Sequence, residues 1–258
     1  ITLALTPRQA YLRRMDPERA ARLRSAMVEY QLRRRGITDE RVLAAMAWLP
    51  REEFVPHSLI EDAYDDSALP VEAGQSISQP YIVACMSEAL APRPGIRVLE
   101  VGTGTGYQAA VLARIGCHVI TMERLPEMAE SARARLDALA RRLAAPELAA
   151  IEIEVGDGSM GHSSGGPFEG ILVTAAAPVI PSRLREQLAD GGRLVIPVGP
   201  LGSQELVLVT RHRKAFTKTD LGGCVFVPLI GSEAYTPETI EAAGFARHLF
   251  GWMRGARS

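Results

Sequence analysis

The sequence predicts an α/β protein built on one doubly wound, mostly parallel seven-stranded sheet, with helical extensions at its N- and C-termini. Three observations predict it. From Pro80 onward, short aliphatic runs alternate with amphipathic helix-like stretches, the pattern of βαβ units feeding a parallel sheet. The first of these runs passes directly into a turn with glycine at 102, 104 and 106 and then into a helix. The last two runs are joined by a polar stretch too short for a crossover helix, so they should pair antiparallel at one edge.

Residues Pro7 to Arg35 contain no glycine and are dense in Ala, Arg, Leu and Met, which predicts a helical extension ended by Gly36. A second helix follows, with Thr38 as its N-cap, Asp39 and Glu40 at its positive end and Pro50 as its stop. Pro56, Pro70 and Gly74 interrupt the stretch from Arg51 to Gln79, which reads as a functional loop region. Expected helices then occupy Tyr81 to Leu90, Gln108 to Ile115, Pro126 to Leu143 and Pro181 to Leu188. Expected strands are Ile96 to Val101, His118 to Met122, Ile151 to Val155, Ile171 to Thr174, Arg193 to Val198, Glu205 to Thr210 and Cys224 to Leu229. Thr236 to Trp252 reads as a final helix. The implied organisation is an extension over 1–36, an α/β domain over 37–230 and a helical tail over 231–258.

Composition narrows the function classes. The 258 residues carry 29 basic against 30 acidic side chains, a formal charge of −1, so nothing draws the whole chain to nucleic acid or to an anionic membrane. The arginines at 8, 13, 14, 19, 22, 24 and 33–35 are interleaved with Asp16, Glu18 and Glu29, as on a solvated helix face. Cys85, Cys117 and Cys224 are far apart and show no pairing pattern. No secretion signal and no apolar run of about 18 residues is present, so a cytoplasmic location is expected. The five histidines show no metal-ligand spacing, and there is neither a G-x-S-x-G elbow nor a Walker motif.

The chemistry-bearing segment is Val98 to Tyr107. Glycines at 102, 104 and 106 let backbone approach a ligand, and the following helix aims its N-terminus at it. Tyr107 stands where a dinucleotide fingerprint wants a small residue. Glu100 would repel a pyrophosphate, whereas it would attract a cationic methionyl amine or sulfonium. Glu123 and Asp157 end the next two strands, where carboxylates can accept hydrogen bonds from a ribose and an adenine amino group. Together these residues indicate an adenosine cofactor.

Gly74-Gln75-Ser76-Ile77-Ser78-Gln79-Pro80-Tyr81, followed by the glycine turn, resembles the protein-L-isoaspartate O-methyltransferase family. Leu49 to Pro56, Ala63-Tyr64, Leu69-Pro70, Val173 to Ala176, Gly191 to Val195, Pro197 to Gly199 and Phe226 to Leu229 match it in order, from about Met27 to Leu229. The resemblance implies a Rossmann-like class I methyltransferase fold. It also implies S-adenosyl-L-methionine as cofactor, with S-adenosyl-L-homocysteine as product, and methyl transfer to the free α-carboxylate of L-isoaspartyl residues in proteins and peptides. On it, Ser78 stands between cofactor and substrate carboxylate as the catalytic residue. The substrate set is Leu69, Pro70, Gln75 and Ser78. The cofactor set is Ser76, Ile77, Glu100, Gly102, Thr103, Gly104, Thr105, Gly106, Tyr107, Glu123, Arg124, Asp157, Gly158, Thr174 and Gln204. A carboxylate is already ionised at neutral pH and needs no general base, so Ser78 would orient rather than deprotonate it. Ser78 could equally cap the helix at Pro80. Alternatives are an aspartyl carboxyl methyltransferase dedicated to one peptide partner, a non-catalytic adenosine-binding module and a nucleotide-dependent oxidoreductase.

Overall fold

A computed structural model describes residues 15–244. Pro7 to Arg14 of the first expected helix, with Arg8, Arg13 and Arg14, and Phe245 to Trp252 of the last lie outside the described residues.

Helix α1 (Pro17–Ala26) starts on Asp16, whose carboxylate accepts the Arg19 N–H at 2.8 Å. The chain continues through a π-helical turn, Met27–Leu32, and a 3-10 turn, Arg33–Arg35, and Gly36 ends it at φ 96°. Met27 and Leu32 are buried, so this segment is packed into the body of the protein. Its arginines meet acids: Arg19 with Glu61, Arg33 with Glu40 and Arg35 with Asp66. Helix α2 (Glu40–Trp48) is capped by Asp39, not by Thr38. The Thr38 N–H and hydroxyl and the Asp39 N–H all donate to Glu88 instead, which pins this corner to the next helix.

The expected loop region contains 3-10 turns and a two-stranded antiparallel ribbon, β1 (Leu69–Pro70) with β2 (Ser76–Ile77). Ala73 (φ 55°) and Gly74 (φ 70°) make its turn. Pro80 opens α3 (Pro80–Leu90). The αβ core follows as β3 (Arg97–Val101), α4 (Tyr107–Ile115), β4 (His118–Glu123), α5 (Pro126–Leu143), α6 (Pro146–Ala149), β5 (Glu152–Val155), β6 (Phe168–Val173), α7 (Ser182–Glu186), β7 (Leu188–Val198), β8 (Gln204–His212) and β9 (Ala215–Cys224), before α8 (Pro237–Ala242). Helix α7 is shorter than expected because Leu188 already belongs to β7.

The sheet order is β5-β4-β3-β6-β7-β8-β9, parallel through β7 and antiparallel for β8 and β9. Both faces of the central strands are buried, as parallel strands demand. Val98, Val119, Leu172 and Val195 share one core with α2 to α6, while Leu99, Val101, Ile120, Met122, Ile171 and Val173 face a second with Leu184 of α7. Chain direction diverges at β3, whose neighbours are β4 on one side and β6 on the other, creating a crevice at their carboxyl ends.

One expected strand is misplaced. The seventh strand is β9 and not Cys224 to Leu229; the two overlap only at Cys224. Phe226 to Leu229 lies beside the end of β6, where the Ala176 N–H donates to Val227 and the Leu229 N–H to Ala176. It is apolar because it packs there, whereas β9 is a solvated edge strand whose polar residues carry no burial signal. None of the described helices is long and apolar enough to cross a membrane.

Candidate active site

A cleft opens at the carboxyl ends of β3, β4, β5 and β6. Its walls include Gln75 to Ser78, Gly102 to Thr105, Tyr107, Glu123 to Leu125, Gly156, Gly158, Thr174 and Val227 to Ile230.

The glycine turn forms one side. Gly102 has φ 99°, and a Cβ there would sit 2.3 Å from the Thr174 hydroxyl, which donates to the Gly102 carbonyl at 2.6 Å. Gly104 also has positive φ (53°), yet no atom of the described residues stands within 4 Å of the place its Cβ would occupy. The first glycine is therefore needed for packing against β6 and the second leaves the cleft open. Gly106 does not wall the cleft; it precedes α4 at φ 87° and packs against Leu136 and Ala132.

Glu123 ends β4 at the cleft wall. One carboxylate oxygen accepts the Gly104 N–H at 3.0 Å and the other the Leu125 N–H at 3.1 Å. A carboxylate has about four acceptor sites, so capacity remains for a ligand diol. Arg124 and Leu125 continue this wall, and Gly158 lies against Val101 on the other side, where a Cβ would come within 2.5 Å of its side chain.

The serine loop forms the opposite lip. Ribbon pairing of Leu69 with Ile77 and of Pro70 with Ser76 sets its path, so Leu69 and Pro70 support the loop from outside the cleft. Ser76, Ile77 and Ser78 line it with Gln75. Ser78 is not the N-cap of α3; that position is Gln79, and no side chain caps it.

Besides Gly106, three more of the expected cofactor residues are placed outside the cleft lining. Glu100 is fully buried on the helix-covered face, away from the cleft lining. It accepts the Thr121 hydroxyl at 2.5 Å, Thr121 meets the Thr103 hydroxyl at 2.8 Å, and the other Glu100 oxygen has no hydrogen-bond partner among the described residues. Burial pushes its pKa up to about 8, with Glu123 adding repulsion and the Thr121 hydrogen bond opposing. The side chain is thus largely neutral at pH 7, which removes the expected attraction to a sulfonium. Asp157 caps the turn Gly158–Met160, accepting from the Ser159 N–H and hydroxyl and, through its second oxygen, from the Ser232 N–H at 2.7 Å. Partial burial opposes its ionisation, but hydrogen bonds from Ser159 and Ser232 outweigh it and hold its pKa below the ordinary value. Its carboxylate ties the cleft floor to the segment after β9 instead of lining the cleft. Gln204 bridges the Pro200 carbonyl and the Phe226 N–H, and so anchors the Val227 to Ile230 wall from behind.

Sequence reasoning assigned no role to Arg51. Its side chain is fully buried, donates to the Ala63 carbonyl and to the Ser78 carbonyl at 2.8 Å each, and lies 4.9 Å from the ring centroid of Tyr107. The only available signal was its place between Leu49-Pro50 and Phe54, an arginine inside an apolar frame. Val227 to Ile230 and Gln108 also reach the cleft without having been expected there.

Fold and cleft together define a class I methyltransferase, with the nucleoside-binding crevice at the switch point of a mostly parallel sheet. The chain belongs to the protein-L-isoaspartate(D-aspartate) O-methyltransferase family, whose model matches residues 22–234. It is similar to the protein-L-isoaspartate O-methyltransferase of Methanoculleus marisnigri, 49% identical over 224 residues that cover 87% of this chain and 99% of that one. The enzyme of the same name from Methylorubrum extorquens is 52% identical over 215 residues, covering 83% and 90% of the two chains. Among solved structures, a β-aspartate methyltransferase from Plasmodium falciparum in complex with S-adenosyl-L-homocysteine superposes with a TM-score of 0.67. It is 26% identical, covering 81% of this chain and 99% of that one.

Proposed function

We propose that this chain is an S-adenosyl-L-methionine-dependent methyltransferase that esterifies the free α-carboxylate of L-isoaspartyl residues in proteins and peptides. One observation carries the reading: the serine loop and the glycine turn, separate in sequence, wall a single cleft that also holds Glu123. Family membership supplies the reaction class.

The residues present fit the cofactor. Gly104 leaves room for it, Glu123 keeps acceptor capacity for its ribose, and Val101, Met122 and Leu125 offer apolar surface for its adenine. S-adenosyl-L-methionine, when bound, supplies a methyl group made electrophilic by its sulfonium. The protein has to hold the isoaspartyl carboxylate in line with that methyl. Ser78 fits this role, its hydroxyl donating to one carboxylate oxygen while the other stays free to attack. No proton need be removed, because the nucleophile is ionised at neutral pH. Gln75, at the same lip, offers an amide donor and acceptor to the peptide backbone.

The test is transfer of labelled methyl groups to two peptides that differ only in one isoaspartyl against one aspartyl linkage. Base-labile label confined to the isoaspartyl peptide is expected. Equal labelling of both, or of neither while S-adenosyl-L-homocysteine still binds, would overturn the substrate assignment.

A further inference from the structure

Arg51 is the largest fully buried side chain of the described residues, and none of its contacts is a carboxylate among them. An unpaired buried guanidinium is costly, and burial lowers its pKa. What it holds is therefore informative. Nε donates to the Ala63 carbonyl and Nη2 to the Ser78 carbonyl, both at 2.8 Å. Its guanidinium carbon lies 4.9 Å from the ring centroid of Tyr107, the first residue of α4, and that ring meets Phe54 edge-on at 5.2 Å. One side chain thus joins the loop lip, the segment before β1 and the start of the cofactor-side helix. Among the described residues Nη1 and the Tyr107 hydroxyl make no hydrogen bond of ordinary geometry, and the attraction between the two side chains partly offsets the burial of the cation.

We propose that Arg51 is a positioning residue for methyl transfer, fixing the Ser78 carbonyl so that the Ser78 hydroxyl is aimed across the cleft. The fork geometry of the guanidinium is essential to this. It supplies two divergent N–H donors in one rigid plane while its carbon sits 4.9 Å from an aromatic centroid, which a lysine ammonium cannot do at once. The surroundings single out the loop: Ser78 lies just before Pro80, and its neighbour Gln79 is tied only to the Asp66 carbonyl by its side chain. Removing the Arg51 bond would free the carbonyl of the very residue whose hydroxyl must point at substrate. The inference rests on the role given to Ser78 above.

The test is a double-mutant cycle of Arg51→Lys and Ser78→Ala, read as kcat and KM on the isoaspartyl peptide, S-adenosyl-L-homocysteine affinity by calorimetry, and melting temperature. Arg51→Lys alone is expected to lower kcat about 10- to 100-fold, as a small misplacement of a positioning group does, while cofactor-product affinity changes less than about twofold. In the Ser78→Ala background the same change is expected to cost less than about twofold, because the group being aimed is gone. Equal losses in the two backgrounds would overturn the proposal, as would parent-like kcat in a folded Arg51→Lys protein. So would failure of both Arg51→Lys and Arg51→Gln to fold, which would make the residue a structural one. Ser78→Ala with full turnover would instead sink the role of Ser78 itself, and the Arg51→Lys result alone would still show whether Arg51 affects turnover.

Discussion

Replacing Glu100 by glutamine is expected to stabilise the protein at neutral pH, and the gain is expected to grow with pH. Glu100 has an ordinary pKa of 4.5 in the unfolded chain and about 8 in the fold. Between those values the unfolded chain releases a proton that the folded protein keeps. Folding then takes up a proton against the bulk pH, so stability is fully present below 4.5 and declines as pH rises toward 8. At pH 7, two and a half pH units above the unfolded value, the cost is about 3 kcal/mol. Glutamine is neutral at every pH and can still accept the Thr121 hydroxyl. Its NH2 takes the place of the unpartnered oxygen and brings two N–H groups where the neutral carboxyl had one O–H, which offsets about 1 kcal/mol. A net gain of about 2 kcal/mol remains, or roughly 6 °C in melting temperature for a chain of this size. Urea unfolding of parent and variant at pH 5, 6, 7 and 8 measures it. Stability curves that run parallel over that range would show that Glu100 does not hold its proton in the fold.

Other outcomes follow from the cleft. Ser78→Ala is expected to lower kcat on the isoaspartyl peptide about 10- to 100-fold, the worth of one hydrogen bond to a charged group, with unchanged S-adenosyl-L-homocysteine affinity in calorimetry. Glu123→Gln should weaken that affinity by at least about tenfold, since its amide nitrogen would face the Gly104 or the Leu125 N–H donor to donor and also offers the ribose hydroxyls no acceptor. Gly102→Ala and Gly104→Ala should separate fold from binding. The first drives a methyl to within 2.3 Å of the Thr174 hydroxyl at φ 99° and should cost at least about 2 kcal/mol in thermal unfolding. The second meets no atom of the described residues within 4 Å, so it should cost only about 1–2 kcal/mol while placing its methyl in the cleft and impairing cofactor binding.

The parts of the site carried by continuous strand–turn–helix patterns were legible in the sequence. The glycine turn and Glu123 sit at strand ends, so a local pattern places them at the same sheet edge, and the serine loop was legible from its own motif. Residues whose role depends on what lies above or behind them were not. Glu100 looks like a ligand because it precedes the first glycine, but strand alternation turns it toward the helix-covered face with Thr121. Asp157 ends its strand as expected, yet the segment containing Ser232, 75 residues later, takes up its carboxylate. The edge strand β9 escaped because solvated residues leave no hydrophobic periodicity, and the apolar run after it took its place. Arg51 is the clearest loss: Glu52 and Glu53 mask the apolar frame of Leu49-Pro50 and Phe54, and only three-dimensional packing reveals a buried cation.

The sheet order also predicts a sequence of assembly. The meander β7-β8-β9 closes through short connections, whereas β3 must wait for β6, with Val98 pairing to Gly170 across an intervening stretch of 71 residues. The glycine turn at the end of β3 is braced by Thr174 at the end of β6, so a competent cleft exists only after this distant pairing has formed. During refolding, recovery of S-adenosyl-L-homocysteine binding should therefore lag behind recovery of strand signal. Ligand added in excess should raise the melting point by holding together the last contacts made, in proportion to the logarithm of its concentration.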